Sequence, residues 1–447
     1  MSGVALLPLG EVVKPTRPRV KPSDHPELPF IGMEHVEAHS MRLLGTVPAA
    51  TMKSSAVHFK AGDVLYGRLR PYLNKVYRPA FEGLCSAEFI VLPESQRVDG
   101  GYLQYFLNSS EFVRYASHVN TGDRPRVDFD QLAPYEMPLP DLAEQRRIVA
   151  EIEKQFSRLD EAVANLKRVK VNLKRYKAAV LKAAVEGRLA PTEAEVASGE
   201  AREFEDAEQL LRRILETRQQ EWQRKGKYKK PADVTAGSRH SVPAGWTVAT
   251  VDQLAQKVTD GTHHTPKYLP TGVPFISVKD VHDGAISFEE AKFISHDEHV
   301  ELSKRCNPEP GDVLITKSGT IGRTATVETD REFSLFVSVA LIKPVRPHVN
   351  PRYLQIALDA YIQSIDISQD VKGGLLKNLH LEDLRVVALP LPPTADQARI
   401  VTEVDRHWSV ARALELEIEV AFARASSLRQ TTMASAFSQR LRAGGHA

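Results

Sequence analysis

Two stretches of this chain follow one pattern about half a chain apart, and that repetition limits the folds open to it. Pro138 to Leu189 opens on a short proline-rich lead-in and continues with apolar residues at Ile148, Ile152, Phe156, Leu159, Val163, Leu166, Val169, Leu173, Tyr176, Val180 and Ala184. Gaps of three and four keep one face of a helix apolar. Held over so many turns, the spacing predicts a coiled-coil seam along a helix from Ala143 to Glu186. Such a helix would run roughly 65 Å at about 1.5 Å per residue. Gly187 is placed as its C-cap. Pro390 to Leu441 repeats the design at an offset of 252: Pro138-Leu139-Pro140 matches Pro390-Leu391-Pro392, Gln145 matches Gln397, Ile148-Val149 match Ile400-Val401, and Arg188-Leu189 match Arg440-Leu441. A shared register of this kind implies an internal duplication. The second seam is poorer, with Ala411, Ala421, Ala425 and Thr432 among its positions. Leu414, Ile418 and Phe422 are expected to supply its apolar contact.

The segments between the helices repeat as well. Leu28-Pro29-Phe30-Ile31 matches Val273-Pro274-Phe275-Ile276, and Gly62-Asp63-Val64-Leu65 matches Gly311-Asp312-Val313-Leu314. Short apolar runs at Leu28–Gly32, Ala61–Tyr66 and Phe89–Leu92 read as strands. Gly101–Ala116 reads as one helix, and Tyr353–Ser364 as its counterpart. Ala190–Gly199 reads as a surface linker and Glu203–Arg224 as a further helix. The segment from Arg224 through Trp246 is expected to be exposed and mobile. The resulting organisation is α+β: a β-rich domain over 1–140, a spacer helix over 141–189, a linker with a helix over 190–242, a second β-rich domain over 243–392, and a C-terminal spacer helix over 393–442. The two spacer helices are expected to pair with each other as a coiled coil.

Composition excludes several classes. In 447 residues the hydrophobic and charged fractions, 42% and 26%, are those of a globular protein. No run approaches the ~18 apolar residues of a membrane span. The start MSGVALLPLGEVVKP lacks a basic, cleavable apolar segment, so no secretion signal is expected. Cys85 and Cys306 are the only cysteines, which favours a reducing cytoplasm and offers no thiolate metal site. Net charge is +2, so any surface that attracts a polyanion must be local.

Local cation-rich loops do occur, at matching places in both halves. Tyr66–Lys75 follows the first Gly-Asp-Val-Leu strand and interleaves Arg68, Arg70, Tyr72, Asn74 and Lys75. A second loop, Asn120–Arg126, carries Arg124 and Arg126. The counterparts are Thr316–Arg323, with Lys317, Ser318, Thr320 and Arg323, and Lys372–Asn378, with Lys372, Lys377 and Asn378. Thr259–Lys267 adds Thr262, His263 and Lys267. Arg and Lys donate to guanine, Asn pairs with adenine, and glycines let backbone approach phosphate. Any one of these cations alone reads equally as a solvated surface charge. Their recurrence on equivalent loops favours DNA contact.

Other motifs carry less. Gly311–Ser318 echoes a phosphate loop, but it lacks the glycine before lysine and its Val-Leu-Ile reads as a strand. His263-His264 and His296-Asp297-Glu298-His299 lack the further ligands of a metal site. No methyltransferase motif or glycine-rich cofactor loop is present.

The twin PLP-x-x-x-x-Q-x-x-I-V helix lead-ins, the Gly187-Arg188-Leu189 exit, Pro243-Ala244-Gly245-Trp246, the stretch from Gly261-Thr262-His263 to Ile276 and the twin Gly-Asp-Val-Leu strands occur in an order that resembles the specificity (DNA-recognition) subunits of type I restriction-modification systems. The resemblance covers nearly the whole chain; Pro8–Val12 matches the usual opening only loosely. It implies two target recognition domains, each reading half of a split sequence in double-stranded DNA, with the two helices packed as an antiparallel coiled coil of pseudo-two-fold symmetry that sets the gap. It implies two methyltransferase (modification) subunits and restriction/translocase subunits as partners, and no membrane. It also implies that this chain is no enzyme and holds no cofactor, while the partners would use S-adenosylmethionine, ATP and magnesium. A non-catalytic coiled-coil structural adaptor is the alternative that the lobes and helices alone also allow.

Overall fold

The computed structural model describes residues 4–16, 18–119, 125–223, 228–235, 241–282, 284–367 and 379–444. It divides into two compact units, residues 1–169 with 417–447, and residues 170–416. The fold is α+β, with two β-rich parts in tandem and a long helix following each. The long helices span Leu142–Val185 and Thr394–Gly444.

In the first unit a five-stranded sheet runs in the order Arg19–Val20, Ala56–Phe59, Gly83–Ser86, Pro29–Ile31 and Val47–Pro48. A three-stranded sheet places Val64–Gly67 between Val76–Tyr77 and Phe89–Leu92. Pro29–Ile31 and Gly83–Ser86 run parallel, with Phe30 opposite Leu84. The expected helix over Gly101–Ala116 is two helices, Gly100–Leu107 and Ser110–His118. The break falls at Asn108-Ser109, where the Ser109 hydroxyl accepts from the Phe112 amide and restarts the helix. Against these helices pack Ile148, Ile152 and Phe156 of the first long helix and Phe437 of the second. The Phe437 ring lies 5.4 Å from Tyr102 and 5.7 Å from Phe106. The two long helices run antiparallel in this unit: Gln155 meets Thr432, and Asp160, five residues on, meets Arg429.

The second unit repeats the plan. Val313–Thr316 lies between Thr324–Thr326 and Val339–Pro344 in a four-stranded sheet closed by Ala255–Asp260. Val273–Ile276 pairs parallel with Ser334–Leu335. The start of the Thr394–Gly444 helix, with Ile400 and Val404, shares one core with Val180, Leu181 and Ala184 at the end of the Leu142–Val185 helix. Lys177 bridges to Glu415, and Tyr176 Oη lies 2.5 Å from His407 Nδ1. Val169, Tyr176 and Leu414, expected to line the seam, are instead exposed, whereas Ala411 and Ile418 are buried. Tyr176, although 41% exposed, still reaches the second helix through His407, its ring 5.7 Å from the imidazole.

The segment Ala190–Gly199, expected as a surface linker, departs from expectation, while the further helix expected after it is present. Glu193–Gly199 is a helix, started by a Thr192–Glu195 capping box and with Glu193 and Ala197 buried. Ala207–Gln223 follows as a helix whose Ala207, Leu210 and Ile214 enter the second unit's core beside Trp246. The expected mobile segment is strapped down where it is described. Arg218 donates to Tyr228 Oη and the Lys229 carbonyl, Ala232 N–H donates to Asp252, and Thr250 Oγ1 donates to the Ala232 carbonyl.

Two motifs now have physical explanations. Gly62 and Gly311 sit at φ 92° and 86°, where a side chain is strained, and turn the chain into the strand. The following Asp63 and Asp312 each accept an amide proton from three residues back, Lys60 and Glu309, at 2.8 Å. In the lead-ins, the hydroxyls of Tyr102 and Tyr353 donate to the carbonyls of Pro138 and Pro390, at 2.8 and 2.9 Å.

Candidate nucleic-acid interface

Each cation-bearing loop that follows a Gly-Asp-Val-Leu turn leaves the end of a fully buried strand. In the first unit the strand ends at Gly67, where a Cβ would come within 2.8 Å of Met33 Cε, and the Gly67 amide donates to Lys75 O. Between these points Arg70 and Asn74 both adopt left-handed backbone, at φ 50° and 41°, around the tight turn Pro71–Leu73. Asparagine tolerates that region well and arginine poorly, so the loop holds its shape against a local cost. Arg70 and Tyr72 are exposed at its tip. Lys75 is turned inward and donates from Nζ to the Met33 carbonyl at 2.6 Å.

Asn74 does not face outward. It is buried, and its side-chain amide donates to Asn108 Oδ1 at 2.7 Å. In this position it anchors the loop rather than presenting an amide to a groove.

The second loop of this unit lies against the first. Arg70 N–H donates to Pro125 O, Val127 N–H donates to Arg68 O, and Leu69 pairs with Arg126. Arg126 is exposed, 3.5 Å from Glu88, and Arg68 is ion-paired with Asp128. Arg124 lies outside the described residues, as do Lys372, Lys377 and Asn378 in the second half.

The second unit reproduces the backbone of this site. Lys317 N–H donates to Ser338 O at 2.8 Å as Arg68 N–H donates to Glu88 O at 2.9 Å. Lys317 O accepts from Leu379 as Arg68 O accepts from Val127. Arg68 and Lys317 are therefore equivalent positions. Their carboxylate partners come from different elements: Asp128 precedes a short helix, and Asp260 ends the strand Ala255–Asp260. The loop after Lys317 is tightened by Thr316 Oγ1, which donates to Thr320 O and accepts from Arg323 N–H. Gly319 and Gly322 take φ 77° and 85° there. Val313–Thr316 is a strand, so the echo of a phosphate loop has no cradle behind it.

Of the remaining candidates, Thr320, Arg323, His263 and Lys267 are exposed, and Ser318 is half-buried. Thr262 is buried, with its hydroxyl 2.7 Å from His264 Nδ1. His263 and Lys317 are brought together by Asp260, which is 1% exposed. Its Oδ2 lies 2.6 Å from Lys317 Nζ and its Oδ1 3.4 Å from His263 Nε2. Arg305, absent from the sequence candidates, joins the same carboxylate at 2.5 Å. Proximity across 45 residues of chain leaves no local signal; only the strand end and the helix end meeting in space reveal it.

Among the described residues no group of three or more His, Cys, Asp or Glu side chains is arranged to hold a metal. His299 is buried, with Nδ1 2.9 Å from Ser334 Oγ, and burial lowers its pKa. It serves the interior. No helix among the described residues is long and apolar enough to cross a membrane.

Two repeated units, each with cation-bearing loops at the end of a buried strand and each built on a long helix, define a tandem two-domain scaffold. The family described as type I restriction modification DNA specificity domain matches residues 243–419. The type I restriction enzyme EcoBI specificity subunit of Escherichia coli is 27% identical over 304 residues, covering 67% of this chain and 57% of that protein. The EcoKI specificity subunit of Escherichia coli strain K12 is 22% identical over 364 residues, 78% of this chain and 67% of that protein. The EcoDI specificity subunit of Escherichia coli matches over 31% of this chain and 32% of its own length at 28% identity. The chain thus spans 57% and 32% of the EcoBI and EcoDI subunits it matches. Among solved structures, a chain described under complex assembly and conformational transition of the type I R-M system superposes with a TM-score of 0.71 at 20% identity, over 98% of both chains. The HsdS subunit from Thermoanaerobacter tengcongensis gives 0.56 at 20% identity, over 98% and 97%. These last two likenesses are of fold. Taken together, the second half of the chain carries a match to the type I restriction modification DNA specificity domain, and much of the chain is similar in sequence to type I restriction enzyme specificity subunits.

Proposed function

We propose that this chain reads a two-part sequence in double-stranded DNA, one half with each β-rich domain, and scaffolds the subunits that act on it. The domains are taken as 1–140 and 243–392, with spacer helices over 141–189 and 393–442. Residues 190–242 connect them. The observation that carries the reading is the equivalence of Arg68 and Lys317: one backbone frame, two different side-chain sets. A frame that fixes loop position while the loop chemistry varies is what two different half-sites demand.

In this reading the exposed Arg70, Tyr72, Arg126, His263, Lys267, Thr320 and Arg323 meet DNA directly. Arg68, Lys75, Lys317 and Ser318 border the contact, and Asn74 and Thr262 shape the loops beneath it. Arg124, Lys372, Lys377 and Asn378 remain candidates on sequence grounds. The chain does no chemistry. Two methyltransferase subunits would supply adenine methylation with S-adenosylmethionine, and restriction/translocase subunits would supply ATP- and magnesium-dependent cleavage, in the cytoplasm.

The test is co-expression with the methyltransferase subunit. A stable complex should form, and its affinity for duplex DNA should fall linearly in log K against log salt. No complex, or binding indifferent to salt, contradicts the proposal.

A further inference from the structure

Asp260 is a buried carboxylate at the end of a strand, and three cationic or titratable side chains converge on it. Oδ1 takes a bond from Arg305 at 2.5 Å and lies 3.4 Å from His263 Nε2; Oδ2 takes Lys317 Nζ at 2.6 Å. A carboxylate that is 1% exposed needs such partners to offset the water it has lost. The converse matters more. Lys317 and Arg305 are flexible chains whose charged ends are held in place before any ligand arrives.

The two cations are held differently. The Lys317 side chain is 13% exposed and lies over the carboxylate. Arg305 is 55% exposed, two residues beyond the helix His296–Ser303, and its backbone carbonyl accepts from Lys257 Nζ. A guanidinium carries five donors in a rigid fork, and the bond to Asp260 engages one nitrogen of it. A fork oriented by a buried anchor has already lost the rotamer freedom that binding would otherwise cost. That is the requirement for reading O6 and N7 of guanine in the major groove, where two parallel bonds must both align.

We infer that Arg305 is a base-reading residue of the second domain, directed at a guanine edge, and that Asp260 is its positioning residue, shared with Lys317. This inference rests on the DNA-reading function proposed above. It adds a residue outside the loops that follow the Gly-Asp-Val-Leu strand. It also makes Arg305 and Lys317 a coupled pair, because removing their anchor releases both.

The test uses the full chain co-expressed with its methyltransferase subunits, and the probe is the host genome, whose modified adenines are mapped by sequencing. Arg305→Ala should make one base-pair position in the half-site set by residues 243–392 permissive. Discrimination at that position should fall about 5- to 150-fold, the worth of one bidentate contact. Asp260→Asn should relax the same position although it meets no base, a result that loss of packing alone would not give. Lys304→Ala, next in the chain and paired with Glu301, should leave the motif unchanged. If Asp260→Asn is lost from the complex, Arg305→Ala and Arg305→Lys still decide, since Arg305 stands half in solvent. Unchanged methylation in Arg305→Ala overturns the inference. So does an equal loss at every site with none newly admitted, which would mark a phosphate contact. A wild-type chain that directs no two-part motif defeats the proposed function itself.

Discussion

Gln145 and Gln397 make the same three hydrogen bonds in the two halves of the chain. Gln145 Oε1 accepts from Asp99 N–H at 2.8 Å, and its amide donates to Arg97 O and Pro140 O at 2.9 and 2.8 Å. Gln397 Oε1 accepts from Asn350 N–H at 2.8 Å, and its amide donates to His348 O and Pro392 O at 3.3 and 3.2 Å. Both side chains are fully buried. Each ties the first turn of a long helix to the start of a domain helix, so the glutamine of the repeated lead-in is a latch between helix and domain.

Replacing either latch with leucine should leave a backbone amide and two carbonyls unsatisfied in the interior. A loss of about 2–5 kcal/mol is expected for Gln145→Leu and for Gln397→Leu. Thermal unfolding followed by circular dichroism checks it; a midpoint shift of less than a degree in both variants would show that the latch is dispensable.

Phe437 should matter as much to the first unit as any residue of its own strands. The ring is 2% exposed and packs on Tyr102 and Phe106. Phe437→Ala is expected to cost about 3–5 kcal/mol. Limited proteolysis should then cut the first unit sooner, while cleavage within 170–416 keeps its wild-type rate.

How far the sequence disclosed all this depends on the kind of signal. The repeat, the latch glutamines and the Gly-Asp turns were legible because each is a local pattern occurring twice. The Ser109 cap within Gly100–His118 was legible in principle, but an apolar face on both sides of it masked the break. The helix Ala207–Gln223 was legible from its apolar spacing, which carries Leu210 and Ile214 into the core, whereas Glu193–Gly199 looked like a linker because it is short and polar, with only Glu193 and Ala197 buried. Asn74 looked like a reader for want of any sign that Asn108 waits beneath it. Asp260 and Arg305 meet only in the folded chain.

Acid should loosen the second unit through Glu193. Hydrogen bonding from Arg399, aided by Arg202, holds the Glu193 carboxyl below its usual value of 4.5. A depressed folded-state pKa gives stability that is present above the unfolded value and is lost as pH falls through the folded one. The melting temperature should therefore drop as pH falls below about 4.5, and Glu193→Gln should flatten that part of the curve. Equal slopes for the two chains would remove Glu193 from the account.

Tyr66–Lys75 should separate contact residues from anchors. Arg70→Ala, exposed at the tip, should weaken DNA binding and lower the salt slope by about one if it meets phosphate, with no change in melting. Asn74→Ala should cost about 1–3 kcal/mol of stability through Asn108 and leave the salt slope near wild type. Fluorescence anisotropy across a salt series, beside a melting curve, reads both; the reverse assignment would mean that the loop is turned the other way.

One measurement bears on the central claim directly. Residues 243–392 hold both strands of the ribbon that joins Thr247–Thr250 to Ala388–Leu391, so exchanging them for the matching segment of a type I specificity subunit keeps that pairing intact. Genomic adenine methylation should then change in one half of the two-part sequence and keep the other half. A change in both halves together, or in neither, would contradict the assignment of one half-site to each domain.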